Sequence, residues 1–195
     1  SLGEYTEARR IHEDTLARER RTLGDDHPNT LQSANALAST LHSLGEYTEA
    51  RRIHEDTLAR ERRTLGDDHP NTLTSAQGLA STLHSLGEYT EARRIHEDTL
   101  ARRRRTLGDD HPSTLNSAHG LAVTLYDLHQ YSTAAQLLDD VRNRRRRSLG
   151  NAHPTTARTT RDLANVLTKM GRQFEAQRML APQKQKKSRF GRKRR

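Results

Sequence analysis

The chain has 195 residues, 31% of them apolar, 4% aromatic and 30% charged, with no cysteine and a formal net charge of +9. Lack of cysteine excludes a disulfide framework, a thiolate metal site and a cysteine nucleophile. No apolar run approaches the roughly 20 residues of a membrane span, and no charged-then-apolar leader opens the chain, so a cytoplasmic protein is expected.

A composition this polar leans towards disorder unless its apolar residues recur at fixed spacing. They do. GDDHPNTL at 24 returns at 66, as GDDHPSTL at 108 and as GNAHPTTA at 150, so Gly24, Gly66, Gly108 and Gly150 mark a period of 42 residues. A period of that size indicates an array of units that bury a face against their neighbours.

In chain order, the first helical stripe lies near 5–23, and equivalents follow near 47–65, 89–107 and 131–149. In the third of these, Tyr89, Ala92, Ile95, His96, Thr99, Leu100 and Leu107 form the stripe. Between them, helices of a first type are expected near 28–44, 70–86, 112–128 and 154–170. Leu73, Ala76, Leu79, Ala80, Leu83 and Leu86 follow three- and four-residue spacings there, and Gly87 closes the run. A short helix near 172–180 precedes Pro182. The array is expected over 1–181, as a half repeat 1–24 and repeats near 25–66, 67–108, 109–150 and 151–181. Its opening helix lacks a first-type partner, so an array continuing upstream, or a homo-oligomer formed through that helix, is expected.

The positive charge is a tail. Residues 182–195 carry eight bases and no acid, leaving the body with 26 of the 34 bases against all 25 acids. This stretch is expected to be disordered and is the only place where nucleic acid or another anionic surface would be held.

Asp25-Asp26-His27 invites a metal or catalytic reading, but equivalent loops on successive helix pairs should lie about 10 Å apart or more, too far for histidines to share one zinc. Structural roles account for each letter: Gly24 in the left-handed position after a helix, Pro28 in the first turn, the two acids at the positive end of the next dipole and His27 near the N-cap. IHEDT at His12, His54 and His96 has leucine, not histidine, four residues on, so no zinc-binding helix face results and these rings are expected between helices. Arg102–Arg105 and Arg144–Arg147 suit solvated C-terminal turns. No nucleophile, base and oxyanion set converges, and neither enzyme activity nor a cofactor is expected.

The near-identical copies disagree at few places. Residues 1–42 and 43–84 differ only at Gln32/Thr74, Asn35/Gln77 and Ala36/Gly78. The third copy departs from the second at Glu61/Arg103, Asn71/Ser113, Thr74/Asn116, Gln77/His119, Ser81/Val123 and His84/Tyr126. Thr74, Gln77, Ser81 and His84 are spaced i, i+3, i+7, i+10, one stripe of a first-type helix.

LASTLHSLGEYTEARRIHEDTL resembles a tetratricopeptide repeat at Leu37, Ala38, Leu41, Gly45, Tyr47 and Ala50. The longer unit with its LG-x-x-HP connector is similar to the repeats of kinesin light chains and of many bacterial proteins. The arginine-rich body also resembles actinobacterial regulatory proteins that carry such arrays. The departures are His54 at an aromatic position, Ala36 after Asn35, and Phe174 one place late. The resemblance implies an all-α, right-handed superhelical solenoid of antiparallel helix pairs whose first-type helices line a concave groove holding an extended peptide or protein partner. On that reading Asn35, Gln77, His119 and Arg161 are expected to hydrogen-bond the partner's backbone or acidic side chains. Gln32, Thr74, Asn116 and Arg158 would open the stripe, and Ser39, Ser81, Val123, Asn165, His42, His84 and Tyr126 would shape pockets.

Overall fold

The computed structural model describes residues 2–181; the basic stretch 182–195, with the disorder and anion binding expected of it, lies outside them. Among the described residues there are nine helices and no strand: α1 (Leu2–Leu23), α2 (Pro28–Ser43), α3 (Tyr47–Leu65), α4 (Pro70–Ser85), α5 (Tyr89–Leu107), α6 (Pro112–Asp127), α7 (Tyr131–Leu149), α8 (Pro154–Lys169) and α9 (Gln173–Leu180). Each helix packs on the one before and the one after it. Helix α1 starts earlier than its apolar stripe. Leu44, Gly45 and Glu46 make a turn because α2 ends there, whereas Leu2, Gly3 and Glu4 follow no described helix and are part of α1.

Every even-numbered helix starts in the same way. His27, His69, His111 and His153 occupy the N-cap in extended backbone, and Nδ1 accepts from the N–H two residues on at 3.1–3.3 Å. The following proline fills the first turn, where a missing N–H costs nothing. The acids of the connector do not enter that turn. Asp26 instead accepts from Arg60 Nη1 at 2.9 Å and Arg63 Nη2 at 2.7 Å, on α3 of the same repeat. Asp68 does the same with Arg102 and Arg105, and Asp110 with Arg144. Such exposed pairs add little stability singly; repeated, they tie each connector to the odd-numbered helix of its own repeat.

The two kinds of helix end differ. After α2, Gly45 N–H bonds to His42 O and Glu46 N–H to Leu41 O, the double bond of a Schellman ending, with Gly45 at φ +83°. After α3, Gly66 has φ 89° and ψ 163°. That is an extended conformation open to glycine alone, not the left-handed helical position expected from the sequence.

The core is a row of compartments. Leu16, Leu37, Leu41 and Ile53 form one, Leu58, Leu79, Leu83 and Ile95 the next, and a third runs from Leu100 to Ala176. Ile11, at the place of buried Ile53, is 50% exposed because no described helix covers that side of α1.

Candidate functional site

The even-numbered helices touch their counterparts, α2 with α4, α4 with α6 and α6 with α8, whereas the odd-numbered ones do not meet one another among the described residues. The even side is therefore the tighter, inner side of the array. Hydrogen bonds cross it from residue i to residue i+43. His42 Nε2 lies 3.0 Å from Ser85 Oγ, His84 Nε2 2.7 Å from Asp127 Oδ2 and His119 Nε2 2.9 Å from Asp162 Oδ2. Below these rungs rings meet edge to face or tilted: His42 on Tyr47 and His84 on Tyr89 at 5.2 Å between centroids, and Tyr126 on Tyr131 at 5.5 Å.

The residues expected to read a partner divide by depth. Gln32, Ser39, Thr74, Arg158, Arg161 and Asn165 are exposed. Asn35, Ser81, His42, His84, Val123 and Tyr126 are half-buried. Thr74, Ser39 and Ser81 turn their hydroxyls back on their own helices, to Pro70 O, Asn35 O and Gln77 O. Asn116 is exposed, yet its Oδ1 accepts from Arg145 Nη2 at 2.7 Å. His119 is buried under its bond to Asp162.

Gln77 faces inward, towards a side chain that the composition of its helix hid. The run Arg102–Arg105 is not wholly solvated: Arg103 is 5% exposed, and Arg145 in the next run is equally buried. Arg103 Nη1 donates to Ser117 Oγ at 2.7 Å and Ser113 O at 3.1 Å, and Nη2 to Leu73 O at 3.1 Å. Ser117 in turn donates to Gln77 Oε1 at 2.8 Å, and Gln77 Nε2 reaches His96 Nδ1 at 3.3 Å. Burial pulls the Arg103 guanidinium below its ordinary pKa, while both of its terminal nitrogens have acceptors. The signal was available, because 103 continues the stripe through Ile95, His96, Thr99 and Leu100.

One repeat earlier the same compartment holds Glu61, which is 1% exposed. Glu61 Oε2, Ser75 Oγ, Asn35 Oδ1 and His54 Nδ1 all lack a hydrogen-bond partner. Burial pushes the Glu61 carboxyl up, against an opposing pull from the Ser75 hydroxyl, which lies near without making a well-formed bond. Thus Asn35/Gln77 and Glu61/Arg103, which the copies show on different helices, are one change. His54 and His96 are each 1% exposed, and burial holds both down to a pKa of about 4.

Between α6 and α8 the inner side opens into a cleft of about 210 Å³ lined by Val123, Tyr126 and Asn165, with Ala122, Leu138 and Val166. Asp127 and Asp162 complete its wall. These acids stand where the earlier copies have Ser85 and Gly120, a difference visible on the 42-residue ruler. No group of three or more metal-ligating side chains occurs among the described residues, and no described helix is long and apolar enough to cross a membrane.

The sequence matches the tetratricopeptide repeat family over residues 1–60, 35–104 and 75–146. The chain is a tetratricopeptide repeat protein. Its tetratricopeptide array superimposes on the nearly identical TPR-like repeats of a putative kinesin light chain from Podosopora anserina with a TM-score of 0.76, at 31% identity over 91% of this chain and 84% of that one. BtubC from P. vanneervenii gives 0.76 at 17% identity, covering 91% and 71%, and likewise shares the fold. PlcR of Bacillus thuringiensis, solved with the peptide PapR7 and DNA, gives 0.71 at 13%, covering 91% and 62%. Among curated proteins, none matches this chain. Tetratricopeptide repeats commonly mediate protein–protein interaction.

Proposed function

We propose that this tetratricopeptide array is an interaction scaffold that holds an extended protein segment along the inner face of α2, α4, α6 and α8. The observation that carries the reading is the cleft between α6 and α8, where copy-specific side chains line an opening of about 210 Å³ on that face. Exposed Gln32, Ser39, Thr74, Arg158, Arg161 and Asn165 are the groups available to a partner's backbone. Gln77, Asn116 and His119 act behind them, holding the wall in shape through Arg103, Arg145 and Asp162. PlcR, solved with a peptide, is an example of the shared fold accommodating one.

The test is selection of binders from a random peptide display library on the full chain, followed by mapping of the bound peptides by NMR. Binding that perturbs Val123, Tyr126 and Asn165 and is lost in the triple variant Ser39→Arg, Asn165→Arg and Arg161→Glu supports the reading. All three positions are exposed, so these changes leave the core intact. Peptides that map to the odd-numbered helices, or that ignore the triple variant, overturn it.

A further inference from the structure

Within this groove reading, we infer that the α6–α8 cleft is a pocket for a cationic side chain on an aliphatic stem, so that the partner is a basic segment presenting lysine or arginine there. Seven of the eight residues lining this opening differ from those one repeat earlier, and four of these exchanges set its chemistry. At the corresponding places between α4 and α6 stand Ser81, His84, Ser85 and Gly120; here they are Val123, Tyr126, Asp127 and Asp162. The exchange removes a hydroxyl from the floor, where Val123 and Val166 now give apolar contact, and adds two carboxylates to the wall. Other helices do not gain acids in this way. Among the even-numbered helices of the described chain, Asp127 and Asp162 are the only acidic residues.

The bonding around the two acids leaves them able to receive a cation. Each gives Oδ2 to a histidine, Asp127 to His84 and Asp162 to His119, and neither Oδ1 takes a hydrogen bond from a described residue. A neutral imidazole donates an N–H without cancelling the carboxylate's charge. Among the described residues, the arginine paired with Asp162 is Arg158, whose Nε is 3.9 Å from Asp162 Oδ2 and whose side chain is 72% exposed, at the rim and not in the opening. His84 and His119 also fix where the carboxylates point, so the site is set before a ligand arrives. A lysine or arginine stem would cover Val123 and Tyr126 while its head reaches the acids, the division of apolar and charged contact that these side chains make elsewhere. A glutamate would meet two like charges, and a norleucine would leave both carboxylates facing an apolar chain.

The pocket is tested by NMR on the full chain near pH 8. The probes are acetylated, amidated five-residue peptides of glycine and serine around a central lysine, arginine, norleucine or glutamate. The lysine and arginine peptides are expected to give saturable shifts at Val123, Tyr126 and Val166, with the norleucine peptide weaker by about tenfold, the scale of one partly desolvated charge contact. The double variant Asp127→Asn, Asp162→Asn should bring lysine down to the norleucine level. Asp127→Ser, which restores the residue of the preceding copy, should have the same sense of effect and guards against a folding defect in the double variant. Equal binding of norleucine and lysine, tighter binding of glutamate, shifts elsewhere or no saturable shift overturns the pocket. If library-selected peptides still occupy the groove in that event, the scaffold reading stands without it; if none does, both fall.

Discussion

Gly78 lies against the imidazole of His54 so closely that a Cβ on it would stand 2.5 Å from Cε1 of the ring. Helix propensity alone favours Gly78→Ala by about 1 kcal/mol. The buried ring cannot yield without moving a neighbouring helix, and forcing such contacts costs about 1–3 kcal/mol. Gly78→Ala is therefore expected to lower the thermal midpoint, whereas Gly at position 36, introduced as Ala36→Gly beside half-buried His12, should lose only the propensity term. Thermal unfolding followed by circular dichroism distinguishes the two; a rise in midpoint for Gly78→Ala would show that the ring has room.

The compartment around Glu61 should accept the side chains of the next repeat, but only together. Asn35→Gln alone extends an amide oxygen towards the Glu61 carboxylate, and Glu61→Arg alone brings a guanidinium that lacks its glutamine-bonded serine. The pair recreates the arrangement of Gln77, Ser117 and Arg103 with Ser75 in the serine's place. A double-mutant cycle by urea denaturation should give a favourable coupling of about 1–3 kcal/mol. Strict additivity would mean that the two compartments are not alike.

Arg103→Met keeps the stem and removes the donors. Leu73 O and Ser113 O lose the guanidinium, and Ser117 loses one of its two bonds. Losing these charge-assisted bonds to buried acceptors is expected to cost about 1.5–3 kcal/mol, read as a shift of the urea midpoint at unchanged slope. The adjacent Arg104→Met, exposed and paired only with Asp109, should be close to neutral.

Stability should also fall in mild acid. His54 and His96 have folded pKa values of about 4, against about 6.5 when unfolded, so the unfolded chain binds more protons between those values. Their contribution is complete above pH ~6.5 and is lost as pH falls towards 4, at up to about 3 kcal/mol for each ring. Glu61, with its carboxyl pushed up, acts in the opposite sense: its penalty is present at neutral pH and fades as it takes up a proton. His96→Leu, which installs the side chain found at Leu138 one repeat on, should flatten the profile of thermal midpoint against pH between 4 and 6.5. An unchanged slope would place the acid sensitivity elsewhere.

The period, the helix pairs and the role of the His-Pro connector were legible in the sequence because each rests on local chemistry: a cap, a proline and a glycine at fixed spacing. Depth was harder to read. Arg102, Arg103, Arg104 and Arg105 are chemically identical, and only the phase of α5 against α4 and α6 decides that Arg103 goes inside. The same phase turns Gln77 from a surface residue into a partner of Arg103, so variation between copies recorded internal accommodation as well as surface change. Asp127 and Asp162 could be found by aligning the copies, but their meeting in one cleft follows from the offset of 43 between adjacent even helices, which no single repeat contains.

The contact of Gln77 with Arg103, and the matching positions of Asn35 and Glu61 one repeat earlier, also say where arrays of this kind can be recombined. A crossover at the His-Pro connector, between Gly66 and Pro70, leaves Asn35 in the same module as Glu61 and Gln77 with Arg103. A crossover in the turn at Leu44 or Leu86 exchanges their partners and brings Gln77 against a glutamate or Asn35 against an arginine. Libraries of longer or shorter arrays cut at the connector should keep each module intact, so the natural joint of the protein is the loop at which one helix pair hands over to the next.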